Sequence, residues 1–329
     1  MKSLVYLAKP AYGGWVTFTG HLSKKFNFKI YKVGKRTEIN KDKSPRYRDF
    51  GYDSMYQNIN FLDINKLDNI MITAIDKNYY KYLEYFPNGT YIVIHDPTEV
   101  KGKSCQPIID NLSRFKVITI RKTVQTYLKE HYNIDSLFLV HPFYQYPKQN
   151  NPKIYTVSIS RLDFDKHTDI ILKSNKLLDN NNKIKIFGAK NDLYVYHHLT
   201  KKLNLPLDNY HGTFKKDFLE LDKILSTAKY VIDLSAIKND GGGSQYTFLE
   251  AIYQDCVLIL NDKWLNSWSG NNVNKIDSVF IDGINCLVVT DENDIVQLLN
   301  TNSDLDNIIK NSKVLLQPHI NVDWDNLAI

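Results

Sequence analysis

Arg161 and Lys166 lie five positions apart, between a short apolar run and an amphipathic stretch in the second half of the chain. A guanidinium binds phosphate oxygens as a planar fork and an ammonium acts as a point charge, so the pair suits a diphosphate. Positive charge placed at a departing diphosphate lowers the barrier to breaking its bond to a sugar. The alternative is a pair of solvated surface cations. We predict that both residues are catalytic and stabilise a leaving group.

Two carboxylates, Asp163 and Asp165, lie between these cations and match the Asp-x-Asp pattern that binds a metal ion in some enzymes. Here the pattern is flanked by the basic pair, and side-chain cations together with helix N-termini can replace a divalent ion as partners of a diphosphate. We therefore predict no metal site and no cofactor beyond the sugar donor itself.

A glycine-rich run, Gly241 to Gly243, stands directly before a strongly apolar stretch that predicts a helix. The unpaired N–H groups of a helix start bind phosphate or sugar hydroxyls, and glycine lets the backbone approach them. Glu250 falls about two turns along that helix, where its carboxylate can accept hydrogen bonds from a ribose. A flexible linker is the alternative. The donor-binding residues predicted in this half are Gly188, Gly212, Asp240, Gly241, Gly242, Gly243, Ser244, Gln245, Tyr246, Thr247 and Glu250.

Near the N-terminus, Gly13 and Gly14 lie between the first apolar run and an amphipathic stretch, where they can bring the backbone close to a phosphate. Tight packing of a turn is the alternative. His95 ends the apolar run 91–94 and is followed by Asp96. Polar groups at the carboxyl ends of strands line the binding crevice of open α/β sheets. We predict that the glycines bind the donor and that His95 and Asp96 are catalytic; a structural histidine is the alternative.

Basic and aromatic side chains are interleaved in the polar stretch 34–61, which predicts a long loop. Phosphates attract the basic groups and an extruded base can stack on the rings, as nucleic-acid binding requires. Acidic residues dilute the positive charge, so a solvated loop is the alternative. The predicted acceptor-binding residues are Lys41, Lys43, Arg46, Arg48 and Tyr52.

Short apolar runs alternate with amphipathic stretches along the chain, which predicts an α/β protein with parallel sheets. The first half has predicted strands at 4–8, 29–33, 70–74, 91–95, 117–120 and 137–141, with helices at 15–25, 79–85, 105–112 and 122–131. The second has strands at 154–158, 183–187, 209–211, 230–233, 256–260 and 286–289, with helices at 168–178, 193–202, 217–228, 245–253, 292–299 and from 304.

A proline-rich hinge near residues 142–152 separates two predicted Rossmann-like domains. We assign 1–148 to the acceptor side and 149–310 to the nucleotide sugar, and we expect 311–329 to pack back on the first domain. Ligands of such sheets bind outside the carboxyl ends of the strands, so a cleft between the domains is expected.

The composition agrees with two soluble domains, because 329 residues exceed what one hydrophobic core usually serves. A net charge of +6 fits a phosphate-bearing ligand or an anionic polymer. The three cysteines lack the spacing of a metal site or a disulfide framework, and no apolar run has the length of a membrane span. We expect a cytoplasmic protein, in the host cytoplasm if the chain is viral.

In this order, the segments resemble the retaining glycosyltransferases of GT-B fold, the large glycogen-synthase-like class. The likeness covers nearly the whole chain and is densest from residue 155 to 289. The family's Arg-x4-Lys pair falls on Arg161 and Lys166, and its N-terminal glycine loop falls on Gly13 and Gly14. The resemblance implies two facing Rossmann-like domains with a cleft between them. It also implies a nucleotide sugar, of UDP type, as donor.

The chain departs from the family at its Glu-x7-Glu motif, because the second glutamate falls on Glu250 but the first falls on Gly242. In the family the first position lies near the donor sugar, so the identity of that sugar stays open; Asp240 is a candidate substitute. The run from Tyr246 to Glu250 also bears a weaker likeness to the phage DNA α-glucosyltransferases, which act on hydroxymethylcytosine.

These features predict a retaining hexosyl- or pentosyltransferase whose acceptor is 5-hydroxymethylcytosine in duplex phage DNA. The first alternative is a transferase that acts on a surface polysaccharide or glycan. The second is a nucleotide-sugar-binding module without catalysis. Arg161 and Lys166 argue against the second, because binding alone needs no charge directed at a leaving group.

Overall fold

The computed structural model describes residues 2–8, 13–33, 38–39, 45–46, 51–102, 105–235, 245–264, 280–301 and 304–327. The chain divides into two compact units. Unit 1 consists of Met1–Gln145, Lys215–Asp217 and Pro318–Ile329. Unit 2 consists of Tyr146–Phe214 and Phe218–Gln317.

Unit 1 is built on a parallel sheet. The strands of unit 1 are β1 (Ser3–Leu7), β2 (Lys29–Val33), β3 (Glu38–Ile39), β4 (Pro45–Arg46), β5 (Tyr56–Ile59), β6 (Ile70–Ile75), β7 (Tyr91–Ile94), β8 (Lys116–Thr119) and β9 (Leu137–Phe138). Within its described residues, seven of them form one sheet in the order β5-β2-β1-β6-β7-β8-β9, and β3 pairs with β4 as a small antiparallel ribbon. The helices are α1 (Gly14–Phe26), α2 (Gln106–Leu112) and α3 (Lys122–Tyr132), with 3₁₀ turns at Asp53–Met55, Phe61–Lys66, Tyr80–Tyr85 and Pro97–Glu99.

The predicted long loop 34–61 is wrong, because the short strands β3 and β4 and the edge strand β5 lie inside it. Strand β5 pairs with β2 at the sheet edge, with Ile30 opposite Tyr56 and Val33 opposite Ile59. Only one side of an edge strand is paired, so its middle residues stay polar and exposed and leave no apolar alternation to read. The predicted helix 79–85 is also corrected to a 3₁₀ turn, and the predicted strand 137–141 ends at Phe138.

Unit 2 carries a second parallel sheet. The strands of unit 2 are β10 (Tyr155–Ile159), β11 (Lys185–Phe187), β12 (Tyr210–Gly212), β13 (Ala228–Asp233), β14 (Val257–Asn261) and β15 (Leu287–Val289). Among its described residues, these six strands follow the order β12-β11-β10-β13-β14-β15. The helices are α4 (Thr168–Leu177), a π-helix (Tyr194–Lys202), α5 (Phe218–Leu225), α6 (Gln245–Tyr253), α7 (Glu292–Asn300) and α8 (Asp306–Asn321), whose residues from Pro318 onward belong to unit 1.

Each sheet is buried among helices, and this burial explains the strand sequences. All six residues of β6 are buried, as are the last four residues of β13, from Tyr230 to Asp233. A parallel sheet covered on both faces requires continuous apolar runs rather than alternation. Among the described residues, one hydrophobic core cluster lies in unit 1 and another in unit 2. The three cysteines are buried thiols within these units.

The C-terminal segment belongs to unit 1. Trp324 is fully buried, packs edge-on against Phe18, and donates its indole N–H to the carbonyl of Val140 over 3.1 Å. The backbone N–H of Phe143 donates to the carbonyl of His319 over 3.0 Å. Among the described residues, no helix combines the length and apolar character that crossing a membrane requires.

Candidate functional site

The predicted cation pair lies at the carboxyl end of β10. Arg161 is about half exposed, with its Nε 3.0 Å from Asp163 Oδ2 and its Nη2 3.8 Å from Asp165 Oδ1. Lys166 ends a short 3₁₀ turn, and its Nζ donates to Ser235 Oγ over 2.9 Å. Both cations therefore lie on the loop that leaves the carboxyl edge of the sheet, where open α/β sheets bind ligands.

Lys166 is positioned by the end of the neighbouring strand β13. Ser235 Oγ accepts from Lys166 and donates a short hydrogen bond to Asp233 Oδ1. The backbone of Ser235 is fixed as well, because Trp264 Nε1 donates to its carbonyl over 3.0 Å. Asp233 is 1% exposed, so a buried carboxylate orients the hydroxyl that holds the ammonium. We did not predict Ser235 from the sequence, where its only signal is a hydroxyl two residues after the end of a strand.

The carboxylate of Asp163 is already engaged by protein groups. Its Oδ1 accepts from Asn191 Nδ2 over 2.8 Å and from the backbone N–H of Phe164 over 2.9 Å, while Oδ2 faces Arg161. Burial alone would raise the pKa of Asp163, but these hydrogen bonds and the guanidinium hold it below its ordinary value. Both carboxylates of the Asp-x-Asp pattern thus lie beside the Arg161 guanidinium, and the absence of a metal site stays a prediction. Among the described residues, no group of three potential metal ligands is assembled.

Gly188 brings the loops after β10 and β11 into backbone contact. Its φ is +145°, and an added Cβ would lie 1.8 Å from the carbonyl oxygen of Ser160, next to Arg161. Its N–H donates to the carbonyl of Gly212 over 2.9 Å, and its own carbonyl accepts from the Tyr210 hydroxyl over 2.7 Å. Only glycine fits this approach, so the backbone surface beside Arg161 depends on it.

The glycine-rich run falls outside the described residues, from Asp240 through Gly241, Gly242 and Gly243 to Ser244. The helix that follows, α6, begins at Gln245 as predicted. Tyr246 and Glu250 are buried on this helix, and Thr247 is half-buried. Burial, reinforced by the Glu250 carboxylate, raises the pKa values of Tyr146 and Tyr246, so the carboxylate lies close to two phenol rings.

In unit 1, Gly13 caps the N-terminus of α1. Its φ is +84°, a left-handed conformation that favours glycine, and its carbonyl accepts from both the N–H and the hydroxyl of Thr17. Among the described residues, an added Cβ at Gly13 or Gly14 would meet no atom within 4 Å. The first turn of α1 holds no acidic residue, so no carboxylate of that turn neutralises the positive end of the helix dipole.

His95 is buried directly after β7. Its Nε2 lies 2.7 Å from the carbonyl oxygen of Thr73, and since a carbonyl only accepts, Nε2 carries the hydrogen. The ring packs edge-on against Phe18 with 4.8 Å between centroids. Burial lowers the pKa of His95 to about 4, so the ring is neutral at pH 7. Nε2 is thus bonded to Thr73, and Nδ1 is the ring nitrogen that can accept a hydrogen bond.

Asp96 caps the 3₁₀ turn Pro97–Glu99. Its Oδ1 accepts from the N–H and the hydroxyl of Thr98 over 2.8 and 2.7 Å, and its Oδ2 lies 3.8 Å from Arg121 Nη1. These bonds fix the carboxylate at the start of the turn. The catalytic role predicted for Asp96 stays a prediction, as does that of His95.

Glu99, which we did not predict from the sequence, contacts both the segment after β1 and the segment after β7. Its Oε1 accepts from the indole N–H of Trp15 over 3.1 Å, and its Oε2 accepts from the backbone N–H of His95 over 3.1 Å. The side chain is 7% exposed, and burial raises its pKa to about 8. A carboxyl four residues after a strand-end histidine was the only available signal.

The predicted acceptor residues are placed only in part. Lys41, Lys43 and Arg48 lie outside the described residues, and Arg46 is described only as a backbone member of β4. Tyr52 is buried at 3% exposure with a φ of 58°, and a Cβ added to Gly20 would come within 2.9 Å of its ring. Its ring packs against α1 in this arrangement, and the acceptor role of all five residues stays a prediction.

No protein-family model matches the chain, and a search of curated proteins finds no relative by sequence. Solved structures do match it. The Anabaena protein HepE bound to UDP and glucose superposes with a TM-score of 0.62 at 13% identity, covering 97% of this chain and 94% of HepE. An alpha-glucosyltransferase bound to UDP and a 13-mer DNA with an A:G mismatch gives a TM-score of 0.65 at 13% identity, covering 95% of both chains.

A third match, TarM of S. aureus bound to Fondaparinux, alpha-GlcNAc-glycerol and UDP, gives a TM-score of 0.51 at 18% identity, covering 74% of this chain and 50% of TarM. These matches confirm the resemblance at the level of fold: the chain has the α/β fold of the GT-B glycosyltransferases, with two parallel sheets. Identities this low carry no residue roles from those proteins to this chain.

Proposed function

We propose that the protein is a retaining glycosyltransferase that uses a UDP-type nucleotide sugar. The observation that carries this proposal is the loop after β10, where Arg161 is aimed by Asp163 and Lys166 is held by the Ser235–Asp233 pair. Surface cations without a ligand need no buried support of this kind. Structures of the same fold with UDP bound add support for the nucleotide.

In the proposed reaction, the acceptor hydroxyl oxygen bonds to the anomeric carbon on the face from which the diphosphate departs. The bond between that carbon and the diphosphate oxygen breaks, and a diphosphate oxygen takes the hydroxyl proton. Arg161 and Lys166 stabilise the charge that builds on the diphosphate, which needs electrostatics and positioning more than a dedicated base. In this proposal Glu250 binds the ribose and the Gly241–Gly243 run binds the sugar.

For the acceptor, we propose 5-hydroxymethylcytosine in duplex DNA. The basic and aromatic content of the stretch 34–61 supports this choice, as does the similarity in fold to an alpha-glucosyltransferase that binds DNA. A glycan acceptor is the alternative, which the fold similarity to TarM with alpha-GlcNAc-glycerol favours.

The test is incubation with UDP-sugars and duplex DNA carrying 5-hydroxymethylcytosine, read by mass spectrometry of the nucleosides. We expect a hexose or pentose adduct on the modified base and none on unmodified DNA. Affinity for duplex DNA should fall with salt because bound cations replace condensed counterions, and replacing Lys41, Lys43, Arg46 and Arg48 together should reduce the slope by up to about 4 units. Tight binding of UDP-sugar with neither binding nor modification of such DNA would favour the glycan acceptor.

A further inference from the structure

We propose that Trp264 is a positioning residue that fixes where Lys166 lies relative to helix α6. The indole acts at both of its ends, because its N–H holds the backbone of Ser235 and its ring packs against α6. All of these residues belong to unit 2. The effect on turnover rests on the proposed function. The contacts themselves do not, and they can be tested without a substrate.

Trp264 lies at the carboxyl edge of the unit 2 sheet. Strand β14, the neighbour of β13, is followed directly by the 3₁₀ turn Asp262–Trp264. The side chain of Asn261 fixes the start of this turn, since its Oδ1 accepts from the N–H of Lys263 over 3.0 Å. The turn directs Trp264 to the chain that leaves β13, where Nε1 donates to the carbonyl of Ser235 over 3.0 Å.

The polar end of Trp264 reaches Lys166 through one residue. The Ser235 hydroxyl accepts from Lys166 Nζ over 2.9 Å and donates to the carboxylate of Asp233. The carbonyl and the hydroxyl of Ser235 are thus both bonded inside the protein, where the residue is buried. A displacement of the carbonyl moves the hydroxyl with it, so the indole N–H helps to set the place of the ammonium.

The apolar end of Trp264 packs against α6. Its ring meets Phe248 of α6 edge-on, with 5.0 Å between centroids, and Phe280 edge-on at 6.3 Å. Phe248 and Phe280 also pack edge-on, at 5.6 Å, and all three rings are fully buried. Edge-to-face packing is directional, so the trio fixes the orientation of the indole. Phe248 and Glu250 point about 200° apart on the helix, so Trp264 positions α6 without contacting Glu250.

One buried side chain therefore joins two elements that the proposed function gives to different parts of the donor. Lys166 is assigned to the diphosphate and Glu250 of α6 to the ribose. These two parts are covalently linked in a nucleotide sugar, so the spacing between the ammonium and the helix must match the spacing within the donor. Charge stabilisation in a transition state depends steeply on such placement, so an error should lower kcat more than it weakens binding.

The first experiment uses the protein without ligand. It follows the NMR signal of the Lys166 ε-methylene group, assigned by its loss in Lys166→Ala. Trp264→Phe keeps a ring but leaves the Ser235 carbonyl without its donor, so the signal should move toward the position of exposed lysines. Trp324→Phe is the matched control, because Trp324 is also fully buried and donates to a carbonyl, that of Val140, over 3.1 Å in unit 1. An unmoved Lys166 signal in Trp264→Phe overturns the proposal.

The second experiment measures kcat and KM for UDP-glucose, with UDP release as the readout. Trp264→Phe should lower kcat by about 10- to 100-fold, as small errors of placement do, and raise KM by less. Trp324→Phe should also lower the melting temperature but keep the native kcat, which separates positioning from a loss of stability. Because Trp264 acts through Lys166, adding Trp264→Phe to Lys166→Ala should lower kcat no further.

Native kcat in Trp264→Phe, or the same loss of kcat in the Lys166→Ala background, would overturn the proposal. If Trp264→Phe fails to fold, the indole N–H signal of Trp264 in Lys166→Ala decides, assigned through variants of the other three tryptophans. That signal should move, and an unmoved signal overturns the proposal. A moved Lys166 signal in Trp264→Phe without turnover of any UDP-sugar would support the role of Trp264 and overturn the proposed function instead.

Discussion

Arg161 and Lys166 are held in different ways, and this difference sets what their loss should do. The guanidinium is about half exposed and paired with the carboxylates of Asp163 and Asp165, so it can turn from them to a diphosphate. The ammonium of Lys166 rests on the Ser235 hydroxyl, at a fixed place beside β13. Neither side chain contributes to a hydrophobic core, so each can be removed without disturbing the fold.

We expect Arg161→Ala and Lys166→Ala to lower kcat by roughly 100- to 1000-fold, as the loss of one charge-stabilising group does in other active sites. The melting temperature should stay within a few degrees of the native value. Lys176→Ala, which removes an exposed lysine from α4, is the control and should leave kcat unchanged. Native kcat in both single variants, measured as UDP release, would remove the pair from the site.

Glu250→Gln should weaken the binding of free UDP by roughly tenfold, because a hydrogen bond from a ribose hydroxyl to a charged acceptor contributes about 1.5–3 kcal/mol. The change keeps the shape of a side chain that is 7% exposed, so the melting temperature should move little. Isothermal titration with UDP gives the dissociation constant. Glu220→Gln, on the neighbouring helix α5, serves as the comparison. An unchanged affinity would place Glu250 outside the nucleotide site.

At the scale of elements, the carboxyl edge of the unit 2 sheet depends on one close backbone approach. The carbonyl of Ser160 lies where a Cβ on Gly188 would stand, 1.8 Å away, so the loops after β10 and β11 must separate if any side chain is added. Gly212 is also left-handed, with a φ of 82°, but an added Cβ there meets nothing within 4 Å. A side chain at Gly188 would therefore both clash and take a disfavoured φ, whereas a side chain at Gly212 would only take a disfavoured φ.

Gly188→Ala should lower the free energy of unfolding by about 2 kcal/mol or more, because both a clash and a disfavoured φ result. Gly212→Ala should cost only about 1 kcal/mol, the conformational penalty alone. Chemical denaturation of the two variants beside the native protein measures the difference. UDP affinity should fall in Gly188→Ala, since Arg161 follows Ser160 directly. Equal stability of the two variants would mean that the loops tolerate the added atom.

At the scale of the molecule, unit 1 buries several histidines around its C-terminal segment. His319 donates through Nδ1 to the carbonyl of His141 over 2.8 Å, and its own carbonyl accepts from Lys25 Nζ. Burial lowers the pKa values of His95 and His319 to about 4 and that of His141 well below its ordinary value. The folded state thus holds these rings neutral, while the unfolded chain protonates them near their ordinary pKa of 6.5.

Stability should therefore be fully present above pH 6.5 and be lost as the pH falls toward 4, by up to about 1.4 kcal/mol per pH unit for each histidine. His319→Asn keeps a donor for the His141 carbonyl but cannot titrate, so its melting temperature should fall less between pH 7.5 and pH 5. His131→Asn, at an exposed histidine of α3, should retain the native pH dependence. The same fall in all three proteins would show that His319 is not among the titrating groups.

The sequence by itself determined the α/β class, because continuous apolar runs alternate with amphipathic stretches and only buried parallel strands require such runs. It also located Arg161, Lys166 and Gly188 at strand ends, since these positions follow directly from where each apolar run stops. Helix α6 begins at the predicted residue. We did not predict strand β5, because its exposed polar residues show no alternation of apolar and polar positions. Its pairing with β2 is also distant in the chain, since the facing residues Ile30 and Tyr56 are 26 positions apart.

Only the tertiary structure decided which polar groups meet. Ser235 and Lys166 are 69 residues apart in the chain, and Trp15 and Glu99 are 84 apart. No periodicity encodes such pairs, because each one follows from the order of strands in a parallel sheet and the turns that leave the same edge. The same order assigned Nε2 of His95 to the carbonyl of Thr73 and buried Glu99 between the indole N–H of Trp15 and the backbone N–H of His95. Local sequence fixes the strand on which a residue lies, whereas sheet topology fixes the atoms it contacts.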